Sequence, residues 1–191
     1  ILLTDLLPKF NEVKEHTDIQ LVITTAATDL LTGDMTAPIG CVGLNQILTE
    51  YADSVLAPRL AISINDNAVL QYTGGTTGVS KGACLTHNNI MSNAEQTRSV
   101  LKDGCTEGEE IFVCPLPLYH IYAFSVNMLV FTTSGNLNIL IPNPRDMDAF
   151  VQAIKPFKFT GFAGINTLFV GLCIHPEFKA LDFSALKITI S

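Results

Sequence analysis

The sequence contains one stretch of highly specific pattern, Gln71-Tyr72-Thr73-Gly74-Gly75-Thr76-Thr77-Gly78-Val79-Ser80-Lys81-Gly82-Ala83. Glycine residues allow the backbone to turn with positive φ and to come close to a ligand. Successive backbone N–H groups can then form an anion-binding concavity, which threonine hydroxyls and the Lys81 ammonium group reinforce. The stretch therefore predicts a loop that binds a polyphosphate.

Two better-known phosphate-binding loops do not fit this stretch. The P-loop requires glycine directly before its lysine and serine or threonine after it, whereas Ser80 precedes Lys81 and Gly82 follows it. The dinucleotide pattern G-x-G-x-x-G fails because Gly74 and Gly75 are adjacent. The remaining alternative is a surface turn rich in glycine and threonine, but the density of donors around one lysine favours phosphate binding.

Composition excludes several other classes of protein. The chain has 191 residues, 48% hydrophobic and 15% charged, which is typical of a globular protein rather than a disordered one. A net charge of −7 does not indicate the positively charged surface that binds nucleic acid. The longest apolar stretch, residues 121–133, is too short to span a bilayer. Five scattered cysteines favour reduced thiols in a cytoplasmic protein.

Apolar periodicity predicts strands that alternate with helices. Residues 84–86 are expected to lead from the glycine-rich stretch into a helix capped by His87 or Asn88. The other predicted elements are helical turns at 2–13, a strand at 19–25, a loop at 26–43, helices at 44–56, 88–101, 121–133 and 146–154, and strands at 110–114, 137–141, 159–162 and 186–190. A further helix is expected to start within residues 163–167 and to end at about residue 174. This order predicts an α/β fold of layered βαβ units with a mostly parallel sheet.

Ligands of such sheets bind beyond the carboxyl ends of the strands. The glycine-rich stretch, residues 115–120, residues 163–167 and Ser191 are each expected to follow a strand there. The sequence therefore predicts that these segments converge on one cleft.

The segment Pro115-Leu116-Pro117-Leu118-Tyr119-His120 places an aromatic ring beside an imidazole after a stiff, extended approach. A histidine can donate a hydrogen bond to a carboxylate or to a developing negative charge. It can equally pack and hydrogen-bond near a helix start, and chemistry alone leaves both roles open. A third segment, residues 160–169, carries Gly164 at a predicted helix start, where a tight packing turn or an anion contact would each suit glycine.

These three segments resemble motifs of the acyl-adenylate-forming (AMP-binding) enzymes, which include acyl-CoA synthetases. The usual form of their signature is [YF]-T-S-G-T-T-G-x-P-K-G, from which this chain departs at Gly74 and Ser80. Residues 115–120 are similar to the family's P-L-[FY]-H segment, and residues 164–169 are similar to the G-[VI]-x-T-L-F segment of fatty acid ligases. The resemblance is nearly continuous over residues 68–191, loose over 1–67, and strongest to bacterial long-chain fatty acid–CoA ligases.

The resemblance implies ATP-dependent activation of a long-chain fatty acid to acyl-AMP and then acyl-CoA, with ATP, Mg²⁺ and coenzyme A. It makes Lys81 and His120 the catalytic residues and Thr73 the hydroxyl ligand of the metal. Tyr119, His120, Phe124 and Gly164 would bind the acyl substrate, although Phe124 could instead pack against the sheet. The residues implied to bind the nucleotide are Tyr72, Thr73, Gly74, Gly75, Thr76, Thr77, Gly78, Ser80, Lys81 and Gly82.

The resemblance further implies that residues 1–191 are a catalytically incomplete fragment of one N-terminal AMP-binding domain, without the C-terminal domain. It implies a cytoplasmic protein and allows a homodimer and peripheral contact with the inner membrane. Two alternatives stay open. One is an enzyme that activates an aryl or amino acid, and the other is a phosphate-binding module without chemistry of its own.

Overall fold

The computed structural model describes residues 1–73 and 80–191. The chain divides into two compact units, Ile1–Leu60 and Ala61–Ser191. The second unit contains every segment that the sequence predicts to carry the site.

The first unit is built on a small parallel sheet. Its strands are β1 (Leu2–Leu3), β2 (Ile23–Thr25) and β3 (Val42–Gly43), in the order β1-β2-β3, and its helices are α1 (Leu7–Val13), α2 (Asp29–Thr32) and α3 (Leu44–Glu50). The predicted strand at 19–25 is thus shorter, the predicted loop at 26–43 contains α2 and β3, and the predicted helix at 44–56 ends at Glu50. Strands of two residues are too short to leave an alternating pattern in the sequence.

The second unit begins with an antiparallel hairpin. Strand β4 (Asn67–Thr73) pairs with β5 (Lys81–Thr86), so residues 84–86 extend a strand and do not begin a helix. Helix α4 (His87–Leu101) starts immediately afterwards. Its N-cap is Thr86, not His87 or Asn88, because the Thr86 hydroxyl accepts a hydrogen bond from the Asn89 amide at 3.2 Å.

A four-stranded parallel sheet forms the centre of this unit. Its strands are β6 (Ile111–Cys114), β7 (Leu137–Leu140), β8 (Gly161–Ala163) and β9 (Ile188–Ile190), in the order β7-β6-β8-β9. Helix α5 (Ile121–Ala123) continues as a π-helical segment (Phe124–Phe131) between β6 and β7. Helix α6 (Met147–Ile154) joins β7 to β8, and α7 (Asn166–Ile174) and α8 (Pro176–Lys179) join β8 to β9. The predicted α/β fold with a mostly parallel sheet is confirmed.

Side chains of this sheet enter two separate core clusters. Val113 belongs to a cluster with Phe150 of α6 and Leu172 of α7, whereas its neighbour Phe112 belongs to a cluster with Ala94 of α4 and Phe131 of the π-helical segment. Successive strand residues point to opposite faces. Helices therefore cover both faces, and the edge beyond the carboxyl ends of the strands is left for a site.

Gly161 gives the Phe112 ring its space. The two residues are paired across β6 and β8, and a Cβ atom at position 161 would lie 2.0 Å from Cζ of Phe112. The Phe112 ring is fully buried and stacks on Phe131, with the ring centroids 3.6 Å apart. A methyl group at position 161 would therefore have to displace a ring that is buried and already stacked on its other neighbour.

We expect Gly161→Ala to lower the free energy of unfolding by about 3 kcal/mol, the upper part of the range for overpacking a core. Gly171→Ala in α7 is the matched control, because the added Cβ would meet only the flexible end of Met147, at 3.0 Å from Cε. Alanine also has the higher helix propensity there. Chemical denaturation of both variants measures the difference, and equal stability would contradict the packing argument.

Candidate active site

The hairpin β4–β5 frames the glycine-rich stretch. Thr73, the last residue of β4, is paired with Lys81, the first residue of β5, and Tyr72 is paired with Gly82. The two strand ends therefore stand side by side, joined by residues 74–80. Gly74, Gly75, Thr76, Thr77 and Gly78 lie outside the described residues, so their predicted role in nucleotide binding stays a prediction.

The described end of the stretch is accessible. Ser80, Lys81 and Gly82 are all exposed. A Cβ atom at position 82 would lie 3.1 Å from Cζ of the Tyr72 ring, so Gly82 makes room for that ring across the two strands. Tyr72 and Gly82 thus have a packing relationship that does not depend on a nucleotide.

The N-terminus of α4 is already occupied by backbone acceptors. The His87 amide donates to the carbonyl oxygen of Asp66 at 3.1 Å, and the Asn88 amide donates to that of Ile64 at 2.8 Å. An anion at the hairpin would therefore have to be bound by the connecting stretch itself and by Lys81, not by the start of α4.

The carboxyl edge of the parallel sheet brings together three of the predicted segments. Residues 115–120 follow β6, residues 164–165 follow β8, and Ser191 follows β9. Ser191 Oγ lies 3.3 Å from Oδ1 of Asn166, the first residue of α7. The glycine-rich stretch, in contrast, does not follow a strand of this sheet, because β4 and β5 form a separate two-stranded sheet. A connection as short as residues 74–80 suits an antiparallel hairpin, whereas parallel strands need a longer crossover.

A cleft of about 270 Å³ opens at this edge, between the segments that follow β6, β7 and β8. Its lining is mostly apolar, with Arg145 as its cation. The lining residues are Pro115, Leu116, Pro144, Arg145, Met147, Ile165, Thr167 and Leu168. No role was predicted for Arg145 from the sequence, although a cation in the segment that follows a strand of a parallel sheet is a recognisable signal of a site.

His120 caps the helix that follows it. Its Nδ1 accepts a hydrogen bond from the Tyr122 amide at 3.3 Å, which assigns the proton of the neutral ring to Nε2. The residue is exposed, as is Tyr119, whose side chain is 85% accessible. The imidazole therefore stabilises a helix start, which is one of the two roles that the sequence left open. Its other role, as a donor to a carboxylate through Nε2–H, stays a prediction.

Phe124 begins the π-helical segment, and its amide donates to the carbonyl oxygen of His120 at 2.9 Å. The ring is half-buried and belongs to neither core cluster. Gly164 is buried and its amide donates to the carbonyl oxygen of Ile190 at 2.9 Å, so that N–H group is not free for an anion. A Cβ atom at 164 would lie 2.9 Å from Cζ of Phe169, which favours the packing role of this glycine.

Metal binding by protein side chains alone has no support in the part of the chain that the structure describes. Within residues 1–73 and 80–191, no group of three or more His, Cys, Asp or Glu side chains could hold a metal ion. Mg²⁺ bound to nucleotide phosphates keeps several waters and needs only one or two protein oxygen atoms. Thr73 as a ligand of Mg²⁺ therefore stays a prediction.

The family model described as AMP-binding enzyme matches residues 7–191. This chain belongs to that family. A long-chain-fatty-acid–CoA ligase of Escherichia coli O157:H7 is 48% identical over 140 residues, which is 73% of this chain and 24% of the relative. The chain thus spans about a quarter of the length of that relative.

Solved structures show the same fold. The anthranilate CoA ligase AuaEII in complex with anthranoyl-AMP matches with a TM-score of 0.75 and 19% identity, over 98% of this chain and 34% of that one. The inhibitor-bound N-terminal domain of FACL13 from Mycobacterium tuberculosis matches with a TM-score of 0.70 and 22% identity, over 95% and 46% respectively. Across the described ranges of this AMP-binding chain, no helix is long and apolar enough to cross a membrane.

Proposed function

We propose that this chain contributes the phosphate-binding part of an enzyme that activates a long-chain fatty acid with ATP and transfers the acyl group to coenzyme A. The pairing of Thr73 with Lys81 carries the proposal, because it sets a hydroxyl residue and a cation at the two ends of the glycine- and threonine-rich stretch. The long-chain-fatty-acid–CoA ligases among its relatives support the substrate class. Residues 1–191 would then form part of a larger N-terminal AMP-binding domain that works with a separate C-terminal domain.

In the first half-reaction, a carboxylate oxygen attacks the α-phosphorus of ATP and the bond to the pyrophosphate breaks. Negative charge builds on the departing pyrophosphate, so fixed donors and a cation there lower the barrier. Lys81 would supply the cation, and residues 72–82 would supply the donors. Mg²⁺, when bound, neutralises phosphate charge, and Thr73 would hold it. In the second half-reaction the thiol of coenzyme A attacks the acyl carbonyl carbon, and AMP leaves.

The carboxyl edge of the parallel sheet would receive the acyl substrate. Nε2–H of His120 is suited to donate to the fatty carboxylate or to an oxygen of the α-phosphate. The apolar cleft beside this edge suits an apolar body, and Arg145 suits an anionic group. Tyr119, Phe124 and Gly164 keep their proposed places around the acyl group, with Gly164 acting through packing.

Activation of an aryl acid by the same chemistry is the second candidate, because the AuaEII structure, a complex with anthranoyl-AMP, shares the fold. Pyrophosphate release with palmitate, benzoate and a set of amino acids, measured in the full-length polypeptide that carries this sequence, distinguishes the two. We expect palmitate to give the highest kcat/KM. A higher kcat/KM for benzoate or an amino acid would contradict the fatty acid as substrate. ATP binding without pyrophosphate release with any acid would indicate a phosphate-binding module.

Phe124 provides a test of the acyl site. In the full-length polypeptide, Phe124→Ala is expected to change the ratio of kcat/KM among C8, C12 and C16 acids by several-fold, since each buried methylene contributes ~0.8 kcal/mol. The KM for ATP should stay nearly unchanged. Phe157→Ala is the matched control, because Phe157 is exposed outside the proposed site. An equal loss for all chain lengths, together with lower thermal stability, would make Phe124 a core residue.

A further inference from the structure

The helix that carries Phe124 is not an ordinary α-helix. Its central residues, Phe124–Phe131, are π-helical, whereas Ile121–Ala123 before them are α-helical. The sequence predicts a helix over residues 121–133 but not this widened turn. π-helical turns are rare in proteins, and those that do occur often lie at functional sites.

Two polar side chains donate to one carbonyl group of this segment. The carbonyl oxygen of Asn127 accepts from Nδ2 of Asn138 at 3.0 Å and from Oγ1 of Thr132 at 3.3 Å. In return, Nδ2 of Asn127 donates to Oδ1 of Asn138 at 3.1 Å. Asn138 lies on the neighbouring strand β7, so the cluster ties the π-helical segment to the parallel sheet.

Side-chain donors that insert into the hydrogen-bond ladder of a helix are a known cause of its distortion. Asn138 and Thr132 insert at the Asn127 carbonyl in this way. The cluster is also costly, because Asn127 is fully buried and its Oδ1 has no hydrogen-bond partner among the described residues. An apolar residue would avoid that cost, so stability alone does not account for the asparagine.

The register of the π-helical segment determines where the side chains on its N-terminal side point. Its C-terminal end is fixed to the sheet, since Val130 and Phe131 are buried and Phe131 stacks on Phe112. An α-helix has 3.6 residues per turn, so a change of one residue in register rotates everything upstream by about 100°. Phe124 and His120 lie on that upstream side.

We propose that Asn127, Asn138 and Thr132 are positioning residues for the acyl site. Their cluster holds the π-helical register, and that register directs Phe124 and His120 toward the reacting carboxylate. The specificity role rests on the proposed function, whereas the control of ring orientation does not. The prediction is that breaking the cluster turns Phe124 and changes which acids are accepted.

A tryptophan introduced by Phe124→Trp in the 191-residue chain reports the orientation of the side chain at position 124, because these residues contain no other tryptophan. In the Phe124→Trp background, Asn138→Leu and Thr132→Val remove donors to the Asn127 carbonyl. Thr97→Val is the matched control, because the Thr97 hydroxyl bonds to the carbonyl oxygen of Asn93 in α4 and not to the π-helical segment. We expect the emission maximum and acrylamide quenching to shift in the first two variants and to stay unchanged in the control.

Acyl selectivity of the full-length polypeptide gives the second measurement. Asn138→Leu and Thr132→Val should change the C16 to C8 ratio of kcat/KM by about four- to fifteenfold, the effect of one or two buried methylenes, with the KM for ATP unchanged. Unshifted tryptophan emission in folded variants would overturn the proposal. If Asn138→Leu does not fold, the emission of Thr132→Val alone tests the proposal. Shifted emission with an unchanged ratio would overturn the specificity role. If the unmutated polypeptide activates no fatty acid, the proposed function fails, and the emission data alone judge the positioning.

Discussion

Lys81→Ala in the full-length polypeptide is expected to slow formation of the acyl adenylate by about 10²-fold or more, the usual loss when one well-placed charge stabiliser is removed. Lys81 is exposed at the start of β5, directly opposite Thr73, where the connecting stretch leaves the hairpin. Its ammonium group would neutralise charge that appears only as pyrophosphate departs. The effect should therefore fall on kcat for adenylation.

The second half-reaction separates this role from a structural one. Acyl-CoA formation from a pre-made acyl adenylate involves no pyrophosphate, so Lys81→Ala should affect it far less. Lys102→Ala, at an exposed lysine after α4, is the matched control and should leave both steps unchanged. Lys81→Arg should recover only part of the rate, because guanidinium and ammonium groups differ in shape and hydration. Equal losses in both half-reactions would show that Lys81 serves the fold.

The sequence predicted the larger elements of the second unit well. The strands at 110–114 and 137–141 and the helix at 146–154 appear within one or two residues of their predicted bounds. The helix that was expected to start within residues 163–167 begins at Asn166. These elements bury one face or both, so their apolar spacing is strong. The resulting order of strands and helices was enough to predict the parallel sheet.

Features that depend on partners distant in the sequence were not predictable in this way. The hairpin of β4 and β5 was missed because its second strand is mostly exposed and carries little apolar alternation. The π-helical segment was missed because Asn138, which bonds to the Asn127 carbonyl, comes from a different strand. The N-cap of α4 was misplaced because its position at Thr86 depends on a hydrogen bond between the Thr86 side chain and Asn89.

The candidate site shows the same division. Convergence of the segments after β6 and β8 with Ser191 followed from the strand order, and the structure places them at one edge. The packing of Gly164 against Phe169 and the presence of Arg145 in the cleft could be seen only once the helices were in place. The roles of Lys81, Thr73 and His120 in catalysis remain predictions, and Lys81→Ala tests the first of them.

The other large effect is expected at the opposite edge of the sheet, where Lys187 forms an ion pair with Glu110. Nζ of Lys187 lies 2.6 Å from Oε1 of Glu110, which also accepts from the Thr106 amide at 2.6 Å. The Glu110 side chain is fully buried, whereas that of Lys187 is 42% exposed. Removing the lysine would leave a buried carboxylate without its cation.

Lys187→Met should therefore lower the free energy of unfolding by about 3 kcal/mol, the lower end of the range for breaking a buried pair, since Lys187 is partly exposed. Lys155→Met, at an exposed lysine after α6, is the matched control and should have little effect. The double variant Glu110→Gln with Lys187→Met should be more stable than Lys187→Met alone, because no charge is left buried. Denaturant unfolding at pH 7 measures all three, and a Lys187→Met effect as small as that of the control would contradict the prediction.

The pH dependence of the same pair gives an independent test. Burial opposes ionisation of Glu110, but hydrogen bonds from Lys187 and Thr106 outweigh it and hold the pKa of this carboxyl below its usual value. A lowered pKa in the folded state means that the stabilisation is present above the unfolded pKa of about 4.3 and is lost as the pH falls through the folded pKa. The hydrogen bond to Glu110 raises the pKa of Lys187, so the stabilisation from Lys187 is complete below about pH 10 and is lost at higher pH.

The stability advantage of the native chain over Lys187→Met should therefore be constant from about pH 5 to pH 10 and shrink on acidification below about pH 4. An advantage that persists unchanged at pH 3 would show that the pair does not hold Glu110 ionised.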